Sequence, residues 1–139
     1  MKKILVTGCA GFIGSNLVDK LLKNKCRVVG VDNFNDYYDP NIKKGNMMGA
    51  LKNKYFKLYR ADIIDFERMK LIFATEKPDV VVHLAARAGV RPSLDNPFLY
   101  GEVNKLGTLN LLKLSVDFKV NKFVFASSSS VYGKSKTIP

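Results

Sequence analysis

Cysteine, histidine and long apolar runs are all scarce in this sequence, and each shortage removes a class of function. Two cysteines, Cys9 and Cys26, stand without C-x-x-C spacing, and there is one histidine, His83. Neither a disulfide framework nor a metal site is therefore expected, and both thiols should be free and reduced. The longest strongly apolar stretch, around Val80-Val81-Val82-His83-Leu84-Ala85-Ala86, is far too short to span a bilayer. Met1-Lys2-Lys3 leads into glycines rather than a signal-peptide core, so a cytoplasmic protein is the expectation. Internal repeats and low-complexity tracts are absent. Acidic residues are also few, 12 against 23 lysines and arginines, giving a formal net charge of +11. Such an excess suits nucleic acid. Its distribution argues otherwise, because Lys20, Lys23, Lys25, Lys43, Lys44, Lys52, Lys54 and Lys57 are scattered and form no recognition motif. A solvated basic surface that attracts anionic nucleotides is the preferred reading.

What is present is a chain of 139 residues, 47% hydrophobic, large enough for one domain with a real core. Lys3-Ile4-Leu5-Val6-Thr7 reads as a buried strand, followed at once by Gly8-Cys9-Ala10-Gly11-Phe12-Ile13-Gly14. In such a turn Gly8 permits the tight reversal, Gly11 lets a pyrophosphate approach the backbone, and Gly14 lets the helix pack closely on the sheet. The helix N-terminus then offers free N–H groups to the phosphates. Arg27 to Val31 predicts a second strand with Asp32 at its end, 18 residues after Gly14. A carboxylate there accepts bonds from an adenosine ribose and repels a 2′-phosphate, favouring NAD over NADP.

Further strands are predicted at Tyr55–Tyr59, Val80–His83 and Lys122–Ala126, the last two apolar enough for full burial. Ile13, Leu17 and Leu21 mark one apolar face of a first helix, Phe66 to Thr75 fits another, and Val103, Leu106, Leu109, Leu112 and Val116 mark a later one. The expected fold is α/β: a doubly wound parallel sheet (Rossmann fold), incomplete, of about five strands with helices on both faces. Asn33 to Lys54 exceeds a minimal connection and reads as an insertion, a mobile loop or a functional segment holding a short helix.

The chemistry should sit after strands four and five. Small residues at Leu84-Ala85-Ala86 allow backbone to lie against a cofactor, and Arg87 and Arg91 can reach anionic substrate groups. His83 ends a buried strand and is read as structural. After strand five, Ser127-Ser128-Ser129-Ser130-Val131-Tyr132-Gly133 brings several hydroxyls to where cofactor and substrate would meet.

Gly8 to Gly14, Asp32-Asn33, Asp62-Ile63, His83 to Ala86, Asn104-x-x-Gly107-Thr108 and Ser127 to Gly133 together resemble the extended short-chain dehydrogenase/reductases, along essentially the whole chain. Asn35-Asp36-Tyr37-Tyr38-Asp39-Pro40, Ala86 to Leu94 and Ala126 to Gly133 are similar to the UDP-glucuronate 4-epimerases within that family. The resemblance implies NAD held by Gly8, Gly11, Phe12, Ile13, Gly14, Asp32 and Asn33, with Asp62 and Ile63 beside the adenine and Leu84, Ala85, Ala86 and Asn104 completing the cofactor side. Ser128 matches the catalytic Ser/Thr that hydrogen-bonds the 4-hydroxyl of a UDP-sugar while a Tyr removes its proton and the C4 hydride passes to NAD. A 4-keto sugar then turns over and is reduced on its other face. Ser127 and Ser129 are candidate substrate contacts. Sugar 4,6-dehydratases of the family carry Asp-Glu where Ser129 and Ser130 stand here, which leaves elimination without its proton handlers.

The family's catalytic Tyr-x-x-x-Lys lies on a helix well after the Val-Tyr-Gly segment, so this chain is expected to be the NAD-binding portion, residues 1–139, without the substrate domain and inactive alone. Tyr132 to Lys136 spells the same pattern, but Gly133 follows directly and there is no room for a packed helix, so it is read as a decoy. The resemblance also admits a homodimer of the full-length protein. The alternative left open is a non-catalytic NAD-binding module or regulator.

Overall fold

In the computed structural model, which describes residues 1–135 and 137, five strands form one sheet: β1 (Lys3–Thr7), β2 (Arg27–Asp32), β3 (Phe56–Arg60), β4 (Val80–His83) and β5 (Lys122–Phe125). All pairings are parallel and the spatial order is β3-β2-β1-β4-β5. Because side chains alternate along a strand, central β1 feeds two cores. Leu5 packs with Val29, Val31 and Val81 beneath α3 (Phe66–Glu76) and α6 (Thr108–Asp117), through Met69, Ile72, Phe73, Leu111 and Leu114. Ile4 and Val6 pack with Val28 on the other face against Val18 of α1 (Phe12–Lys23) and Met47 of α2 (Pro40–Met47). Helices thus cover both faces, and each fully buried side chain of this size contributes about 1.5–3 kcal/mol.

Local signals account for the helix ends. Asp39 caps α2 by accepting from the Asn41 N–H, with Pro40 in its first turn, and Asp65 caps α3 by accepting from the Arg68 N–H. α1 has Gly11 at its N-cap and no capping side chain, while Lys20 and Lys23 complement the dipole at its other end. Below the sheet, Glu76 accepts from Lys57, Tyr59 and Lys3, tying α3 to β1 and β3. Burial alone would raise this carboxyl, but those donors hold it down at about 2.

Several expectations are refined by the structure. β3 lies one residue later than Tyr55–Tyr59. In α1 the inner face is Gly14, Ser15 and Val18, with Leu17 and Leu21 partly buried, whereas Ile13 is exposed; close contact at Gly14 fixes the helix rotation. In α6 the buried stripe is Asn110, Leu111, Leu114 and Ser115, and Leu109, Leu112 and Val116 face outward. Among the described residues β5 pairs with β4 alone, and Val124 and Phe125 are exposed rather than buried. The segment from Asn33 to Lys54 is no loose loop either, since Lys43, Met47 and Ala50 are buried.

After β4 the chain forms two short helices, α4 (Val90–Asp95) and α5 (Pro97–Tyr100), and then a π-helical stretch, Gly101–Gly107, that runs into α6. No helix among the described residues is long and apolar enough to cross a membrane.

Candidate functional site

The carboxyl ends of the strands carry two adjoining cavities that share Leu84, Ala85, Ala86 and Arg87 as a common wall. This is where a doubly wound sheet reverses its winding, between β1 and β4.

The first cavity is floored by the β1–α1 turn. Gly8 adopts φ +67 and donates its N–H to the Val31 carbonyl at 2.8 Å; a Cβ there would lie 2.8 Å from the Ala85 nitrogen. At Gly14 a Cβ would fall 2.1 Å from the Gly8 carbonyl oxygen and 2.9 Å from Cys9 Cα. Gly14 therefore lets α1 press on the turn itself rather than on the sheet, and it lines neither cavity. The Phe12 and Ile13 side chains are 81% and 68% exposed and line neither. What these residues can offer is backbone, since first-turn N–H groups have no partner within the helix.

Around the turn stand Asp32, Asn33, Asp62 and Ile63, all lining the first cavity with Gly8 and Gly11. Asp32 is buried; its Oδ2 accepts from the Ala10 N–H at 3.0 Å and its Oδ1 from the Phe34 N–H at 2.9 Å. Asn33 Nδ2 donates to Asp62 Oδ2 at 2.7 Å, bracing the end of β2 against the loop after β3. Burial, with the Asp32 charge adding to it, pushes the Cys9 thiol up, so this cysteine is an inert packing group; Cys9 and Cys26 are both free.

Other residues of the cavity were not legible in the sequence. Lys43 is buried rather than solvated: its Nζ donates to Asn35 Oδ1 at 2.9 Å, lies 3.8 Å from Asp32 Oδ1 and sits 5.0 Å from the centroid of the Tyr38 ring. Tyr37 donates to the Ala88 carbonyl at 2.8 Å, strapping the insertion across to the segment after β4. The signal available was the Asn35 to Pro40 string, which carried a resemblance but no role. Two buried polar atoms in this cavity's lining residues lack any partner among the described residues, Tyr38 Oη and Arg87 Nε. A Cβ on Gly11 would lie 3.8 Å from that Tyr38 oxygen, so the hydroxyl faces the glycine turn. Burial and the nearby Asp32 charge raise the Tyr38 phenol, which keeps it a donor.

The second cavity, about 600 Å³, is the size of a small-ligand site and is lined by Gly89, Val90, Tyr100, Asn104, Phe125, Ala126, Ser127 and Ser128 beyond the shared wall. Ser128 caps a 3₁₀ turn, Ser129–Tyr132, its Oγ accepting from the Ser130 N–H at 3.2 Å and keeping its own proton to donate. Ser129 lies in that turn and lines neither cavity. Asn104 serves this side by clamping the Arg87 backbone, accepting from its N–H at 2.7 Å and donating to its carbonyl at 3.0 Å. Arg87 borders both cavities, but Arg91 lines neither: Gly89, at φ +94, turns the chain into α4, which leaves Arg91 exposed. Tyr132 is exposed, and Lys136, its partner in the Tyr-x-x-x-Lys string, lies outside the described residues. No cluster of three or more metal-ligating side chains occurs among the described residues.

A parallel sheet in this order, with a glycine turn feeding a helix N-terminus and an acid at the end of β2, defines a nucleotide-binding doubly wound domain. The chain belongs to the NAD-dependent epimerase/dehydratase family: residues 5–139 match the family model described as GDP-mannose 4,6 dehydratase. It is 52% identical over 128 residues to a UDP-glucuronate 4-epimerase of Thermodesulfobacterium geofontis, covering 92% of this chain and 40% of that protein. The crystal structure of a UDP-glucuronic acid 4-epimerase from Bacillus cereus, in complex with UDP-glucuronic acid and NAD, matches with a TM-score of 0.88 at 41% identity, over 99% of this chain and 44% of that one. A UDP-Glc/GlcNAc 4-epimerase from Campylobacter jejuni matches with a TM-score of 0.89 at 34% identity, over 99% and 40%. The chain therefore spans about two fifths of the length of these relatives.

Proposed function

We propose that this chain is the NAD-binding portion of a nucleotide-sugar 4-epimerase that interconverts UDP-glucuronate and UDP-galacturonate. The observation that carries the reading is the first cavity: a glycine turn at a helix N-terminus, Asp32 at the end of β2, Asp62-Ile63 after β3, and two buried polar atoms, Tyr38 Oη and Arg87 Nε, with no partner among the described residues. These groups fit a dinucleotide. The turn at Gly8 and Gly11, with the Phe12 and Ile13 N–H groups, takes the pyrophosphate, Asp32 and Asn33 the adenosine ribose, and Asp62 and Ile63 the adenine. Tyr38 and Arg87 add donors on the phosphate side.

NAD, when bound, supplies a reversible acceptor for the C4 hydride of the sugar. Ser128 holds the 4-hydroxyl and Ser127 contacts the sugar, with Ala85 and Ala86 leaving room for the ring against the wall. The Ser129-Ser130 pair offers no carboxylate to expel water, which favours epimerisation over dehydration. The outward stripe of Leu109, Leu112 and Val116 supports a homodimer.

The test is UDP-glucuronate incubated with the protein encoded by the reading frame that carries these residues. Conversion to UDP-galacturonate without net reduction of NAD is expected. A dehydrated sugar nucleotide as product would remove the epimerase reading. Residues 1–139 by themselves should bind NAD weakly and show no turnover.

A further inference from the structure

One polar chain, Thr7–His83–Thr108, runs behind the shared wall, with His83 and Thr108 bordering the second cavity, and none of the roles above uses it. His83 is 1% exposed, with the Phe125 ring stacked on it at 5.6 Å and the Phe123 ring edge-on at 6.1 Å. Its Nδ1 lies 2.7 Å from Thr7 Oγ1 and its Nε2 lies 2.9 Å from Thr108 Oγ1. β1 thus presents Thr7, β5 presents Phe123 and Phe125, and α6 presents Thr108; no charged side chain bonds the ring among the described residues.

The hydrogen-bond partners fix the tautomer from both sides. The Thr7 hydroxyl also accepts from the Leu84 and Ala85 N–H groups, each at 3.2 Å, the former shared with the Thr7 carbonyl at 3.3 Å. Amide N–H groups only donate, so the one acceptor for the hydroxyl proton is Nδ1. At the other end the Thr108 hydroxyl gives its proton to the Asn104 carbonyl at 2.7 Å, so Nε2 must donate to Thr108. Both ends require a neutral ring with a bare Nδ1 and a proton on Nε2. Burial acts in the same sense and lowers this imidazole to about 4.

The chain ends on the shared wall. Thr7 holds the amides of Leu84 and Ala85 where the wall begins, and Asn104 clamps Arg87 where it finishes. We propose that His83 is a positioning residue: as the neutral Nε2–H tautomer it links Thr7 to Thr108 and thereby sets the Leu84–Arg87 wall against which the cofactor is held. This deepens the NAD reading and rests on it.

The experiment pairs two measurements on the chain. Imidazole ¹⁵N spectra of the wild type should show a bare Nδ1 and a protonated Nε2 on His83. Thr7→Val and Thr108→Val should each weaken NAD binding about tenfold, and Thr7→Val should speed amide exchange at Ala85 by a similar factor, the scale of one lost buried hydrogen bond. Thr7→Ser and Thr108→Ser, which keep the hydroxyl, should restore wild-type behaviour to within about twofold. A proton on Nδ1, or valine variants that exchange and bind NAD like the wild type, would overturn the proposal. A wild-type chain that binds no NAD would remove the NAD reading, and the tautomer and Ala85 exchange would then decide the positioning role by themselves.

Discussion

The two cavities on either side of Leu84–Arg87 are built from different material. The first is walled by buried, mutually bonded groups: Asp32 caps Ala10 and Phe34, Asn33 braces Asp62, and Lys43 lies 5% exposed between Asn35 and Asp32. The second opens on β5, where Phe125 is 53% exposed and Ser127 to Val131 bond chiefly to one another. The cavity proposed to take the nucleotide is thus lined mainly by groups bonded to one another, with Tyr38 Oη and Arg87 Nε left to bond a ligand, while the side proposed to do the chemistry presents exposed hydroxyls among the described residues. Perturbations should fall unequally on the two.

The harshest break lies in the glycine turn. Gly14→Ala puts a methyl group 2.1 Å from the Gly8 carbonyl, so the turn must open. We expect a loss of about 3 kcal/mol or more in urea unfolding and no measurable NAD binding. Wild-type stability in that variant would show that the turn is not closely packed.

Acid should act through His83 next. Its folded value of about 4 lies below the ordinary 6.5, so between those values the unfolded chain binds a proton that the folded chain refuses. Stability is complete above pH 6.5 and falls as pH drops towards 4, by up to about 3 kcal/mol. Glu76, at about 2 against an ordinary 4.5, continues the decline below pH 4.5. Denaturant midpoints recorded from pH 7 to 4 check this, and a flat profile would contradict the buried, neutral imidazole.

Asp32→Ala should cost about 1–3 kcal/mol in the same unfolding assay, because the Ala10 and Phe34 N–H groups lose their acceptor and buried Lys43 loses its counter-charge, and should also weaken NAD binding. At the small end, Ser128→Ala removes one exposed capping acceptor. Its effect on stability should stay within about 0.5 kcal/mol and leave NAD affinity unchanged while it lowers epimerase turnover of the encoded protein. A Ser128→Ala variant as damaging to NAD binding as Asp32→Ala would erase the contrast between the cavities.

Much of the first cavity was readable from the chain alone, and the reasons are physical. Val80 to His83 is apolar because a central parallel strand is covered on both faces, and the Gly8 to Gly14 spacing reflects contacts no side chain can share. Lys43 was not readable, because its burial depends on Asn35 and Asp32 arriving from other segments. The face of α6 was misread because two apolar stripes run along it. The inward one contains Asn110, which donates to the Ile63 carbonyl after β3, and Ser115, which donates to the Leu111 carbonyl of its own helix, so the outward leucines give the cleaner pattern. β5 has the composition of a covered strand, and among the described residues it pairs with β4 alone.

Whether the first cavity holds NAD is decided by an NMR titration of residues 1–139 with NAD, which detects even weak binding. Saturable shifts confined to the amides of Gly8 to Gly14, Asp32-Asn33, Asp62-Ile63 and Leu84 to Arg87 are expected. No shifts at millimolar NAD, or shifts centred on Lys57 and Glu76 at the opposite end of the sheet, would contradict NAD binding in that cavity.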